Sequence, residues 1–174
     1  MESSPFIRTE RLILREFNAS DIALIFELDS NSAVMEFIRP PSKTLQEAEA
    51  TYNKIVATRQ RDKRFGNWVA VTINTHEAIG WFCLKDLDNT SAIEVGFRLL
   101  PRFWGYGYAT EGAKALIDYG FTVCNLNTIV GVTTDANLRS QSALTKCGLQ
   151  FIKHARFYET DVKYYAIEKQ TSLI

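Results

Sequence analysis

The chain has 174 residues, of which 46% are hydrophobic and 12% aromatic, the length of one domain with enough apolar side chains for a sizeable core. Twenty basic residues balance twenty acidic ones, so the formal net charge is zero and no overall field exists to hold a nucleic-acid backbone or an anionic membrane. Direct nucleic-acid binding is therefore not expected.

The three cysteines, Cys83, Cys124 and Cys147, are odd in number, widely spaced and set among apolar or helix-end residues. That usage suits reduced thiols in a cytoplasmic protein, not a disulfide framework. Met1-Glu2-Ser3-Ser4-Pro5 carries no basic segment or apolar core of a secretory leader, and no later apolar run reaches the ~18 residues that a membrane helix needs. His76 and His154 lie far apart with no cysteine at ligand spacing, so no metal site is expected. One domain is expected over 1–174.

In chain order, alternation over Leu12, Ile13, Leu14, Arg15 and Phe17 predicts a strand, after which Asn18 or Ser20 can cap a helix over Asp21–Asp29. The segment Asn31–Ser42, with Pro40-Pro41, reads as a loop. Ser42 or Thr44 caps a second helix, whose Leu45, Ala48, Tyr52 and Ile55 share a face and should rest on a sheet. Trp68–Ile73 and Ala78–Leu84 are strands joined by the turn Asn74–Glu77, and Ile93–Leu100 is another. A third helix presents Ala109, Ala113, Leu116, Ile117 and Gly120. Thr128–Thr134 is a buried strand, Asn137 caps a short helix that Gly148 closes, and Leu149–Phe157 and Val162–Ile167 form a hairpin around Glu159-Thr160-Asp161. The order β-α-α-β-β-β-α-β-α-β-β predicts an α/β (α+β) domain.

The stretch Arg102-Phe-Trp-Gly-Tyr-Gly-Tyr-Ala-Thr-Glu111 follows the strand at 93–100 and opens the third helix. Gly105 and Gly107 permit a tight turn and close approach of a ligand, while the first free N–H groups of the helix carry partial positive charge. This is an anion site suited to phosphates. No Gly-Lys-Ser/Thr follows, which rules out a Walker loop, and Thr110 replaces the third glycine of a dinucleotide fingerprint.

The pattern Arg102-x-x-Gly105-x-Gly107-x-Ala109 resembles the pyrophosphate loop of the GNAT superfamily of acyl-CoA-dependent N-acetyltransferases. Thr9–Arg15 with Asp21, Ala78–Leu84, Ile93–Phe97, Asn137-Leu-Arg-Ser140 and Lys146-Cys-Gly-Leu149 are similar, in family order over about 8–170, to segments of its RimJ/RimL-type branch. That branch acetylates ribosomal-protein N-termini. The resemblance implies a mixed, mostly antiparallel sheet of about six to seven strands flanked by about four helices. It also implies a splay between the strands at 93–100 and 128–134 that holds the pantetheine arm of acetyl-CoA.

What the resemblance implies for individual residues follows from that layout. The pyrophosphate is expected on N–H groups across Gly105, Tyr106, Gly107, Tyr108 and Ala109, with Arg102 either adding charge or simply lying on the surface. A backbone N–H near Phe97, Arg98 or Leu99 would polarise the thioester carbonyl. Glu94, beside the loop, is the candidate base for the acceptor amine. The tyrosine common in the wider superfamily as proton donor is replaced by Leu144, leaving Ser140 or water to protonate the thiolate. Asn137 either binds pantetheine or only caps its helix. The acceptor is expected to be a protein or peptide α-amine; the alternatives are a small amine (polyamine, aminoglycoside or amino acid), or a CoA-binding sensor without turnover. Transfer through Cys147 lacks a paired base nearby in sequence. The sequence leaves the oligomeric state open.

Overall fold

A computed structural model of the chain describes residues 6–170; the opening segment Met1–Pro5, read above as no leader, lies outside them. One eight-stranded sheet runs in the order β1-β2-β3-β4-β5-β6-β8-β7, with β1 Ile7–Arg8, β2 Leu12–Arg15, β3 Gly66–Thr72, β4 Ala78–Asp86, β5 Ile93–Leu99, β6 Thr128–Thr133, β7 Gln150–Phe157 and β8 Thr160–Glu168. Every neighbouring pair is antiparallel except β5 and β6, and the sheet stays open. The strand beyond the seven expected is β1, two residues paired as Ile7↔Leu14 and Arg8↔Ile13, too short to leave an alternating pattern.

The helices are α1 Ile22–Ser30, α2 Ser32–Met35, α3 Leu45–Arg61, α4 Tyr108–Thr122 and α5 Leu138–Lys146. The fifth, α2, occupies the segment expected to be loop. Asn31 starts it by accepting from the N–H groups of Ala33 and Val34, and its single turn buries Val34 and Met35. One turn is too short for a helical period to be read. Asn18 caps the 3₁₀ turn leading into α1 through a reciprocal bond with Asp21, and Thr44 with Glu47 does the same for α3.

Alternation along β3 sorts the two sides of the sheet. Trp68 and Ala70 join Phe82, Leu84, Val95 and the α4 residues Ala113, Leu116 and Ile117 in the main core, whereas Val69 turns to Leu24, Leu28, Val34 and Met35 of α1 and α2. Burying one large side chain such as Phe82, fully enclosed here, contributes about 1.5–3 kcal/mol. The side of α3 expected to rest on the sheet reaches β3 through Arg59, whose guanidinium lies 5.3 Å from the Trp68 ring centre, but most of its apolar face meets α1. Its buried Ala48 and Ile55 pack against Ile25 of α1, with Phe17, Ile22 and Phe26 alongside, so α3 forms an outer layer.

Two features position the site. The only residues of β5 and β6 in register are Glu94 and Val130, so the strands part towards their C-terminal ends and leave the expected splay. The β7–β8 hairpin turns on Tyr158 and Glu159, both at positive φ (52° and 58°), one residue earlier than the sequence suggested. A two-residue turn of this kind matches the strand twist, and it places Tyr158 at the tip. Among the described residues no helix is long and apolar enough to cross a membrane.

Candidate active site

A cavity of about 320 Å³ opens in the splay. Phe97, Arg98 and Leu99 of β5 form one wall, the glycine loop and first turn of α4 form a second, and α5 supplies Asn137, Arg139 and Ser140. Val34, Phe37 and Ile38 rim the side bearing α2. Beyond Glu94 the edge of β5 facing β6 has no strand partner, and apart from the Leu99 carbonyl, which accepts from Trp104 Nε1 at 2.8 Å, its main-chain groups can bond an extended amide-bearing ligand.

Gly105 and Gly107 both adopt left-handed φ (81° and 82°), and a Cβ placed on Gly105 would meet nothing within 4 Å. The loop is thus a concave cradle. Gly107 precedes the 15-residue α4, whose first intrahelical bond is Glu111 N–H to Gly107 C=O. Among the described residues no protein acceptor is found for the N–H groups from Gly105 to Thr110. Such a nest of donors, with the helix dipole behind it, fits a pyrophosphate.

The predicted site residues separate in space. Gly105, Gly107, Tyr108, Ala109, Phe97, Arg98, Leu99, Asn137 and Ser140 all line the cavity. Tyr106 does not; its side chain is 63% exposed while its carbonyl accepts from Arg11 Nη1 at 2.8 Å. Arg102 points away from the loop, its guanidinium pairing with Glu27 at 2.7 Å and Glu77 at 3.1 Å. Asn137 caps α5, its Oδ1 accepting the Ser140 N–H at 3.2 Å. Leu144 is buried against Gly131, inside the core.

Glu94 is 7% exposed and stands at the closed end of the splay, outside the cavity wall. Its Oε1 accepts from Lys85 Nζ at 2.8 Å and from the hydroxyl of Tyr158. Arg98, further along the same face of β5, reaches α1. Its Nη1 binds Asp29, which is 1% exposed and also bonds Arg39 at 2.8 Å, so the loop after α2 is tied to β5. Burial holds the Arg98 guanidinium below its ordinary pKa, against the pull of Asp29.

Sequence reasoning missed Arg11, Arg139 and Lys146. Arg139 stacks 3.8 Å from the centre of the Trp104 ring at the cavity edge, and Lys146 lines the same cavity, so both put positive charge where phosphates would lie. Both stand inside the quoted motifs, where their cationic side chains were the available signal. Arg11 gave none, because its partners lie about a hundred residues away.

Comparison with known proteins decides the family. The model of the acetyltransferase (GNAT) domain matches residues 11–150. The chain belongs to the GNAT acetyltransferases. It is 29% identical over 164 residues to FsC-acetyl coenzyme A-N(2)-transacetylase of Aspergillus fumigatus, covering 88% of this chain and 68% of that one. It is 28% identical over 137 residues to spermidine N(1)-acetyltransferase of Escherichia coli, covering 78% and 70%. An acetyltransferase structure from Agrobacterium tumefaciens superposes with a TM-score of 0.84 at 23% identity, covering 96% of each chain. Structural matches include both spermidine-type and ribosomal-protein-type members, so no single branch is singled out and the narrower RimJ/RimL assignment does not follow.

This GNAT chain is an acetyl-CoA-dependent acyltransferase acting on an amine. The cradle and the unpaired edge of β5 fit acetyl-CoA, whose thioester supplies the activated acyl group. Among the described residues no group of three or more His, Cys, Asp or Glu side chains is arranged to hold a metal ion.

Proposed function

We propose that this GNAT enzyme acetylates a small primary amine by direct transfer within a complex of protein, acetyl-CoA and acceptor. The observation that carries the reading is the relative whose name specifies spermidine, a small polyamine, matched over 78% of the chain at 28% identity. The α-amine of a protein N-terminus, favoured by sequence motifs alone, is the weaker reading, because structures titled for that activity match at 16–19% identity and bear on the fold only.

In this reading the N–H groups from Gly105 to Ala109 take the pyrophosphate, with Arg139 and Lys146 adding charge. Each charge-assisted bond contributes about 1.5–3 kcal/mol. Pantetheine pairs along the free edge of β5, and a main-chain N–H near Phe97 to Leu99 faces the thioester oxygen. The acceptor enters beside Phe37 and Ile38. Glu94 takes the proton that frees the amine, the nitrogen attacks the carbonyl carbon, the carbon–sulfur bond breaks, and the thiolate receives a proton from Ser140 or from water at that position.

Acetyl-CoA consumption measured across a panel of polyamines, aminoglycosides, amino acids and N-terminal peptides tests the reading. A small amine should be turned over at least tenfold faster, in kcat/KM, than any peptide. Faster turnover of a peptide α-amine would reverse the choice of acceptor.

A further inference from the structure

The turn at Tyr158 and the start of β5 form one hydrogen-bonded cluster across the sheet. Lys85 and Glu94 are direct cross-strand partners on β4 and β5. Lys85 Nζ donates to Glu94 Oε1 at 2.8 Å and to the Tyr158 hydroxyl oxygen at 3.0 Å, and that hydroxyl donates to the same Oε1. Asp88 closes the cluster from the β4–β5 loop. Its N–H donates to the Tyr158 oxygen at 2.9 Å, and its Oδ2 accepts the Tyr158 N–H at 2.8 Å. Four bonds thus clasp the β7–β8 hairpin to the half of the sheet on the other side of the splay.

The two oxygens of Glu94 are unequal. Oε1 takes both donors, whereas Oε2 has no protein partner among the described residues and is not among the buried unpartnered atoms, so it reaches solvent. Alternation along β5 puts Glu94 on the same side as Arg98, facing α1 and α2, opposite the core residues Val95 and Phe97. Phe97 lies three steps beyond Glu94, roughly 10 Å along the strand. A proton from an amine at the thioester would therefore cross that gap through water.

We infer that Lys85 and Tyr158 are positioning residues, holding Glu94 by Oε1 so that Oε2 stays open to the acceptor amine's proton. The inference rests on the reading of Glu94 as base. In the balanced reaction an alkylammonium gives one proton to Oε2 and from there to solvent. Its nitrogen then bonds the acetyl carbon, the carbon–sulfur bond breaks, and the nitrogen's second proton offsets the one taken up by the thiolate. The products are the amide, CoA thiol and one released proton.

Charged and titratable groups around Glu94 are Lys85 and Cys83 from β4, Tyr158 from the hairpin turn, Asp88 from the β4–β5 loop and Arg98 on its own strand. Burial opposes the charge on Lys85, but Cys83, Glu94 and Tyr158 more than offset it and raise its pKa, so the ammonium persists throughout the working range. Removing that cation leaves Oε1 held by the Tyr158 hydroxyl alone.

The test uses Lys85→Met, Lys85→Arg, Tyr158→Phe and Glu94→Gln in the full chain. Carbon-13 NMR of glutamate carboxyls, with Glu94 assigned through Glu94→Gln, reads its titration without any acceptor. The pH dependence of kcat/KM with spermidine and with ethanolamine at saturating acetyl-CoA reads its consequence. In Lys85→Met, which takes away the cation facing the carboxylate, the carboxyl signal and the acidic limb of the rate profile should both move to higher pH. Lys85→Arg should restore them, and Tyr158→Phe, at a half-exposed position, should shift them the same way with acetyl-CoA affinity unchanged. A titration that stays in place in both Lys85→Met and Tyr158→Phe, or a Glu94→Gln enzyme within twofold of wild type, overturns the inference. Wild-type failure with every small amine would instead sink the acceptor reading, and the NMR titration would still decide the positioning role.

Discussion

Arg11 and Glu111, a hundred residues apart, are joined twice: Arg11 Nε meets Glu111 Oε2 at 2.6 Å, and the Arg11 backbone N–H meets Oε1 at 2.8 Å. Thr9 adds a third bond to Oε1 at 2.6 Å, and Arg11 Nη1 continues to the Tyr106 carbonyl. The turn between β1 and β2 thereby fixes both the glycine loop and the first turn of α4. A carboxylate in that turn also complements the helix dipole.

The same contacts predict a pH response. Burial acts to raise the pKa of Glu111, but the bonds from Thr9 and Arg11 outweigh it and hold the carboxyl below its ordinary 4.5. A depressed folded value gives stability that is fully present above the unfolded pKa and is lost as pH falls through the folded one. Glu111→Gln should therefore melt at a lower temperature than wild type at neutral pH, and its melting temperature should fall less steeply below about pH 4.5. It should also weaken acetyl-CoA binding about tenfold by calorimetry, equivalent to about 1.4 kcal/mol. Parallel melting curves at all pH values would remove Glu111 as the source of the acid sensitivity.

Gly107→Val tests the cradle directly. The position has φ 82°, and a Cβ there lies 3.4 Å from Arg11 Nη2, the guanidinium that orients the loop. A β-branched residue is a steric outlier at such a φ and should distort the donor array. Calorimetry should find acetyl-CoA binding weakened beyond tenfold while far-UV circular dichroism is kept. Unchanged affinity would exclude this loop as the phosphate site.

How far the sequence could be read follows from the range of each interaction. Elements built from local periodicity and caps were legible: the cap at Asn137, those at Asn18 and Thr44 as one of two candidates each, the glycine loop, and the α4 face around Ala113, Leu116 and Ile117. The splay was legible only through family resemblance, since nothing local says that β5 pairs with β6 at one residue. What stayed hidden depended on distant partners. Arg102, read either as adding charge or as a surface residue, has its guanidinium taken by Glu27 and Glu77, and Tyr158, left between the expected strand and its turn, lies in the turn itself.

Packing between α4 and β4 yields a third prediction. A Cβ on Gly112 would lie 2.3 Å from Cζ of Phe82, whose ring is fully buried at the centre of the main core. The ring cannot withdraw without displacing its neighbours, so Gly112→Ala should cost about 1–3 kcal/mol. For a chain of this length that lowers the melting temperature by roughly 2–4 °C per kcal/mol. Adding Phe82→Leu should recover part of the loss, because the two sites share one space. Additive destabilisation in the double variant would show that α4 moves as a body instead.

The last prediction concerns the thiols and separates direct transfer from an acyl-enzyme route. Burial pushes the Cys83 thiol up to about 12 and the Cys147 thiol up to about 11, and it raises Cys124 as well. Cys147 also donates to the Thr110 carbonyl at 3.6 Å, which occupies its proton inside the α4 turn. The thiolate is the nucleophile, and with such a pKa only on the order of one Cys147 in ten thousand carries it at neutral pH. An enzyme with Cys83→Ala, Cys124→Ala and Cys147→Ala should therefore keep kcat within about threefold, provided it is assayed below its lowered melting temperature, since each truncation leaves a small void. Intact-protein mass spectrometry of the wild type with acetyl-CoA and no acceptor should find no acetyl adduct on cysteine. An adduct trapped on Cys147, chased to product when amine is added, would establish the covalent route and overturn direct transfer.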